Sequence, residues 1–477
     1  MTAPGFPSGP APQRAGGRRV PTHRNTELVL ILFAGVLVSL FSVGSHAALL
    51  QVVSSAALVM PVMFMAVMVG AHFVVRFFAP YADPAILPCV ALINGLGIVF
   101  LARIDLGLAT VKVRQSIATF GDFGFRQLLW TLVAVIGFAV ALTMLRDHRS
   151  LSRYAYTLAL VGIILVMIPA LLPYSISGSG GAKLWIPTPF GAIQPGEFAK
   201  LLLLSFFAYY LVRKREVLSL ASKRFLGIDF PRGRDLGPVI VVWVASLLVL
   251  VFERDLGTSL MYFGAFVAMT YVATERTSWL LIGLGLFSVG ALLAYSLFAH
   301  FQTRVAIWLD PFIDPDDRGY QPIQALFGLG TGGLFGTGPG VGAADTIPVV
   351  ESDYISAGLG EEIGLFGLTA LLALYLVIVE RGIRTALLVR DSYGKLLAAG
   401  LSFSLGLQVF VIIGGVSKLI PLTGLTTPFL SYGGSSLVAN WLLAALILRI
   451  SDAARRPAQT PPPAPRLSSA PTEVVRL

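Results

Sequence analysis

Apolar runs long enough to cross a lipid bilayer recur from Leu28 to Leu448 and constrain this chain more than any other feature. An α-helix rises about 1.5 Å per residue, so about 20 apolar residues cover the ~30 Å hydrocarbon layer. Twelve stretches fit: 28–44, 56–75, 85–102, 127–145, 154–173, 197–213, 238–252, 256–273, 279–299, 354–379, 396–417 and 431–448. No polar stretch between them is large enough for a soluble domain, which excludes a soluble enzyme on a membrane tail. Composition agrees, because only 13% of residues are charged where soluble domains carry about 25%. The expected fold is an all-α polytopic integral membrane protein of about 12 transmembrane helices, with a large extracytoplasmic loop at 300–353.

That loop is called extracytoplasmic from the charge pattern. The formal charge of +10 matters less than its distribution, since cytoplasmic loops collect Lys and Arg. With the N-terminus inside, the cytoplasmic side gathers Arg14, Arg18, Arg19, Arg24, Arg76, Arg146, Arg149, Arg153, the cluster from Arg213 to Arg234, Arg276, Arg381 to Lys395 and the last arginines. These make up about 25 of the 35 Lys and Arg. Both termini are therefore predicted to be cytoplasmic, with contact to anionic membrane lipids secondary. Residues 1–25 (Pro/Gly/Arg-rich) and 453–477 (Pro/Ser-rich) are too poor in apolar side chains for a core and are predicted to be disordered tails. The run 28–44 before Ser45-His46-Ala47 looks like a signal peptide, but the long basic leader and long apolar stretch favour an uncleaved first span.

The single Cys89 allows neither a disulfide framework nor a thiolate metal site. Five scattered histidines (His23, His46, His72, His148 and His300) show no pair at ligand spacing, which leaves carboxylates as acid/base groups. The two longest informative loops, 174–196 and 300–353, fall on the outer side, so chemistry or recognition belongs there. In the second, Trp308, Phe312 and Tyr320 suit a membrane interface and Pro322 to Phe327 can start a short interfacial helix. The run from Gly328 to Gly342 permits tight or re-entrant backbone. Its Gly-x-Gly-x-x-Gly match (Gly328, Gly330, Gly333) follows no strand and is not a dinucleotide site.

Asp310, Asp314, Asp316 and Asp317 crowd this loop. Two readings stand: turn and cap chemistry, or a general base at the membrane surface. In the other loop, Lys183 and Trp185 precede a helix start at Pro195, with Glu197 suited to its positive end. Lys200 lies one turn deeper among Leu201 to Leu204, where a charge is costly; it serves a substrate or pairs with Glu197. Glu253-Arg254-Asp255 and Glu361-Glu362 pose the same question at other membrane edges.

Several segments together resemble one family, the SEDS proteins (shape, elongation, division, sporulation), which includes RodA and FtsW. They are GAKLWIPTPFGAIQPGEFAKL (181–201), ERDLGTSL (253–260), RVAIWLDPFIDPDDRGYQPIQALFGLGTGGLFGTGPG (304–340), SDYISAGLGEEIGLFG (352–367) and PLTGLTTPFLSYGGSSL (421–437). They follow the family's order and intervals, which implies a SEDS-like core over 81–452 and an added N-terminal transmembrane hairpin over 26–80.

The resemblance implies a peptidoglycan glycosyltransferase that polymerises lipid II into β-1,4 glycan at the outer face of the bacterial cytoplasmic membrane, with inversion. In the family's Arg-x-x-x-(Trp/Phe)-x-(Asp/Asn)-Pro-x-x-Asp-Pro motif the essential aspartate falls on Asp314, implied as the base that deprotonates the acceptor 4-hydroxyl. Arg304, Lys183 and Lys200 are implied to stabilise the leaving pyrophosphate, with a divalent cation such as Mg or Mn as a further possibility. Trp185, Glu197, Asp255, Glu361 and Ser431 complete the implied substrate contacts. A class B penicillin-binding protein is the implied partner. Ile412 stands where many members have Asn and Lys418 where Gly is common. The segment 414–437, the hairpin and the tails resemble the elongation branch more than the division branch. Two other readings remain open: a flippase for the lipid-linked precursor, or a non-catalytic scaffold for wall synthesis.

Overall fold

The computed structural model describes residues 22–52, 55–115, 123–179, 182–188, 191–219, 221–225, 228–231, 236–253 and 255–457. Most of both expected tails, and Arg254, lie outside the described residues. The chain forms α1 (Arg24–Leu50), α2 (Ala56–Phe78), α3 (Ile86–Gln115), α4 (Phe123–Met144), α5 (Ser150–Arg153), α6 (Ala155–Leu171), α7 (Tyr174–Ser177) and α8 (Pro195–Ser219). It continues through α9 (Gly237–Glu253), α10 (Leu256–Thr274), α11 (Ser278–Leu297), α12 (Ala299–Leu309), α13 (Tyr320–Gly332), α14 (Ile355–Leu388), α15 (Ser392–Val416) and α16 (Gly434–Arg455).

Ten of these are long and apolar enough to cross a membrane. The other two expected spans, 154–173 and 238–252, appear as α6 and α9, each of 17 residues. The fold is not purely helical: short antiparallel hairpins form from Gly178–Ser179 with Ala182–Lys183, Ile186–Thr188 with Gly191–Ile193, and Ala221–Phe225 with Ile228–Pro231.

Helix α3, 78% buried over its most apolar stretch, lies at the centre with α10, α15 and α16, whereas α11, 17% buried, faces outward. Lipid offers no hydrophobic drive for helices to associate, so polar side chains and small residues set the packing. Asn94 on α3 does this for α4 and α16: its amide donates to Phe429 O (3.1 Å), and its carbonyl accepts from Thr131 (3.3 Å) and Trp441 (3.4 Å). Gln127 on α4 donates to Ser431 O at 2.9 Å and accepts from Gly433 N at 3.3 Å. Gly97 leaves no room for a Cβ beside Leu430. These contacts fix the segment 423–433 between α15 and α16.

At the end of the bundle where α1 begins and α16 finishes, the α2–α3 turn closes onto α16. Asp83 N donates to Ser451 Oγ (3.0 Å), Tyr81 N donates to the Asp452 carboxylate (2.9 Å), and the Asp83 carboxylate pairs with Arg455 and, at 3.8 Å, with Arg381. At the same end Asp391 caps α15 by accepting from Gly394 N at 2.7 Å. Burial alone would raise the Asp391 pKa, but hydrogen bonds from His148 (3.0 Å) and Gly394 and the charge of Arg149 hold it below the usual carboxylate range. A depressed carboxyl stabilises the fold above its unfolded pKa and loses that contribution as pH falls. Asp391→Ala is therefore expected to cost about 1 kcal/mol near neutral pH. Measured by unfolding in detergent, that difference should shrink as pH drops below about 4.

At the opposite end, the loop 300–353 carries more structure than one interfacial helix: α12, a 3-10 turn at Pro311–Ile313, and α13. The glycine run is tight, as its composition suggests, with positive φ at Gly333, Gly336, Gly338 and Gly340. It inserts beside a break in α14 at Gly364 (φ 68°). Thr337 N and Gly338 N donate to Glu361 O (2.9 Å) and Glu362 O (3.0 Å), while Leu365 N and Phe366 N donate to Gly333 O (2.9 Å) and Leu334 O (3.1 Å). The broken helix thus keeps its backbone groups satisfied, a requirement at membrane depth.

Candidate active site

The start of α4 and the connections α6–α8, α9–α10, α11–α14 and α15–α16 converge at this second end around a cleft of about 1960 Å³. Its polar wall carries Arg304, Arg318, Lys418, Asp255, Glu351 and Asp353, and Arg126 enters from the start of α4. Its apolar wall includes Leu129, Val133 and Ile176, all exposed. The cleft therefore grades from exposed apolar side chains to a charged floor.

Arg304 is aimed by α12, and its Nη1 donates to Leu422 O (3.3 Å) and Thr423 O (3.2 Å). One turn later, Trp308 Nε1 donates to Lys418 O at 3.0 Å. Asp255 caps α10 through Thr258 N at 3.2 Å and Thr258 Oγ1. Burial raises its pKa, opposed by the Thr258 hydrogen bonds and the Arg304 charge. Asp353 accepts from Ser352 Oγ at 3.1 Å. Burial raises its pKa too, against that hydrogen bond and Arg304. Arg304 thus serves as counter-charge to two carboxyls that the cleft partly desolvates.

Asp314 follows the 3-10 turn and is partly exposed; it does not itself line the cleft, although Pro311 and Arg318 on either side of it in sequence do. Its backbone oxygen accepts from Gly319 N at 2.7 Å, whereas its carboxylate has no partner among the described residues. The neighbouring acids divide by role. Asp310 caps the 3-10 turn through Phe312 N (2.9 Å), Asp317 lies 3.9 Å from Arg318, and Asp316 is exposed.

The other expected residues separate into those on the cleft and those behind it. Trp185 lines the cleft; Lys183 lies beside it and donates to Leu172 O at 3.3 Å. Lys200 is buried and committed to Glu197 Oε2 and Gln408 Oε1, both at 2.9 Å, and Gln408 in turn donates to Thr426 O at 3.0 Å. The Glu197–Lys200 pair thus supports the cleft wall at Thr426 from behind. Glu361 accepts from Ala343 N (3.1 Å) and positions the glycine run. Ser431 donates to Ser352 O (2.6 Å) and accepts from Thr427 N (2.9 Å), tying the α14 entry to the segment 423–433.

Sequence reasoning did not single out Arg126, Arg318, Glu351 or Asp353. Arg318 and Asp353 lay within quoted motifs, but only folding shows which motif residues share a wall. Among the described residues, no three His, Cys, Asp or Glu side chains gather to hold a metal ion.

A family model described as cell cycle protein, covering FtsW, RodA and SpoVE, matches residues 84–456. The chain belongs to this FtsW/RodA/SpoVE family. Family similarity is high with a Mycobacterium tuberculosis (strain ATCC 25618 / H37Rv) protein named peptidoglycan glycosyltransferase RodA, 49% identical over 450 residues and 93% of each chain. A Geobacter sp. (strain M18) protein named probable peptidoglycan glycosyltransferase FtsW is 32% identical, over 78% of this chain and 97% of that one. Among solved FtsW/RodA/SpoVE-like structures, a chain of a peptidoglycan synthase complex that coordinates polymerization and crosslinking superposes with a TM-score of 0.59. It is 26% identical and covers 78% of this chain and 97% of its own.

Proposed function

We propose that this chain is a peptidoglycan glycosyltransferase of the RodA type, polymerising lipid II into β-1,4 glycan strands for cell elongation. The observation that carries the reading is the cleft, which joins an exposed apolar wall to a charged wall where Arg126, Arg304, Arg318 and Lys418 stand beside three carboxylates. A lipid-linked sugar needs this gradient, because its polyprenyl tail must stay in hydrocarbon while its sugars react in water. The near-complete alignment with a protein named peptidoglycan glycosyltransferase RodA supports the same activity.

In this reading the tail lies along Leu129, Val133 and Ile176, and the pyrophosphate faces the cleft cations, of which Arg304 is held in advance by Leu422 O and Thr423 O. Asp314 takes the proton of the acceptor 4-hydroxyl as that oxygen attacks the donor anomeric carbon. Undecaprenyl pyrophosphate leaves from the opposite face, so the α-linked donor becomes a β-linkage. The positive-inside bias supports placing both termini in the cytoplasm of a bacterium and the cleft at the outer face of its cytoplasmic membrane. A class B penicillin-binding protein is the proposed partner, in keeping with the synthase complex above.

The test is purified protein with that partner in detergent, given lipid II, with glycan length read on a gel. Polymer formed without any second compartment is the expected result. No polymer in detergent, together with transfer of lipid II across reconstituted vesicles, would overturn the reading in favour of a flippase.

A further inference from the structure

We infer that Lys418 binds the diphosphate-class anion of the lipid-linked substrate in this cleft, an inference that rests on the glycosyltransferase reading above. The argument starts from the backbone. Helix α15 ends at Ser417, Leu419 N donates to Gly414 O at 2.7 Å, and Lys418 N donates to Gly415 O at 3.3 Å. This is the pattern that closes a helix with one left-handed residue, a position that favours glycine. Lys418 occupies it with φ 62°, where a side chain is disfavoured relative to glycine. The backbone at 418 gives no reason for a lysine, so the reason lies in the side chain.

That side chain is exposed and lines the cleft. Trp308 holds the residue's carbonyl at 3.0 Å, and Trp308 sits one turn beyond Arg304 on α12. Lys418 and Arg304 are thereby anchored to the same helix and present two cations to one space. Arg304 already donates to two backbone carbonyls, and Lys200 is committed to Glu197 and Gln408. Lys418 has no ion pair among the described residues. Arg126 and Arg318 also line the cleft, and beside these guanidiniums a flexible ammonium with three donors suits a diphosphate as a point charge. A position near a helix C-terminus also favours a cation through the helix dipole. That general effect predicts a change in stability alone, which separates the two explanations experimentally.

The test compares the full-length protein with its partner in three forms: wild type, Lys418→Gly and Lys418→Arg. Each is measured for KM and kcat with lipid II and for binding of undecaprenyl pyrophosphate against undecaprenol in detergent micelles. The expected result for Lys418→Gly is about a tenfold weaker affinity for the pyrophosphate and a similar rise in KM, with undecaprenol binding unchanged. The melting temperature should be equal or higher, because glycine relieves the left-handed backbone. Lys418→Arg should stay within about threefold of wild type, since the charge persists. Unchanged KM and pyrophosphate affinity in Lys418→Gly would overturn the inference. Wild-type protein that binds the pyrophosphate through Lys418 but forms no glycan would support the inference while overturning the glycosyltransferase reading.

Discussion

Asp314→Asn is expected to lower glycan formation by about 10²- to 10⁴-fold, the range a positioned general base contributes, with little change in KM or melting temperature. The separation of rate from stability follows from the local structure. The turn that holds Asp314 uses its backbone oxygen, which accepts from Gly319 N, and asparagine retains that oxygen. The carboxylate has no partner among the described residues, so replacing it leaves no buried group unpaired. Only proton acceptance is lost. Rate assays with lipid II, alongside thermal unfolding of the same preparations, check both halves. Full activity in Asp314→Asn would remove it as the base and shift attention to Asp353 and Asp255, whose pKa values burial raises at the cleft.

The largest effect on stability is expected at the buried pair of Arg103 and Glu362. Arg103 on α3 pairs through Nε with Glu362 on α14, lies 3.6 Å from Asp345 and donates to Gly342 O. Glu362 also accepts from Gly340 N at 3.0 Å. Arg103→Met strands a carboxylate that is fully enclosed, a change that costs about 3–5 kcal/mol. Removing both charges, in Arg103→Met with Glu362→Leu, should recover part of that loss, because an apolar pair of similar volume is often neutral. Recovery will be incomplete, since Gly340 N and Gly342 O lose partners at about 1–3 kcal/mol for an unsatisfied group. Unfolding in detergent reads the cycle. A single Arg103→Met variant as stable as wild type would sink the account.

The spans were legible because hydropathy alone selects membrane helices: each of the twelve apolar runs coincides with a helix, with ends displaced where polar residues extend it, as in α3 beyond 102 and α14 beyond 379. Pairings were not. Nothing in a linear reading joins Arg103 to Glu362, or brings the glycine run against the α14 break, because both depend on how distant segments stack. The site was legible in part. Arg304, Trp185 and Asp255 meet at the cleft, while Lys200 and Glu197 satisfy each other behind it. Glu361 and Ser431 act on backbone. A buried charge in a membrane helix signals a partner, but the sequence does not say whether that partner is a substrate or another side chain. Lys418 was visible as a departure from a glycine position; only its φ and its place on the cleft give that departure a meaning.

The turn between α2 and α3 is completed by the last helix of the chain. Asp83 N and Ser451 Oγ are 368 residues apart in sequence, and Arg455 lies further still. A ribosome inserting this protein therefore delivers a carboxylate to the membrane border long before its counter-charges on α14 and α16 exist. A chain cut short before α16 leaves Asp83 and the Tyr81 amide without Ser451, Arg455 and Asp452, so unfinished molecules carry a chemical mark that complete ones lack.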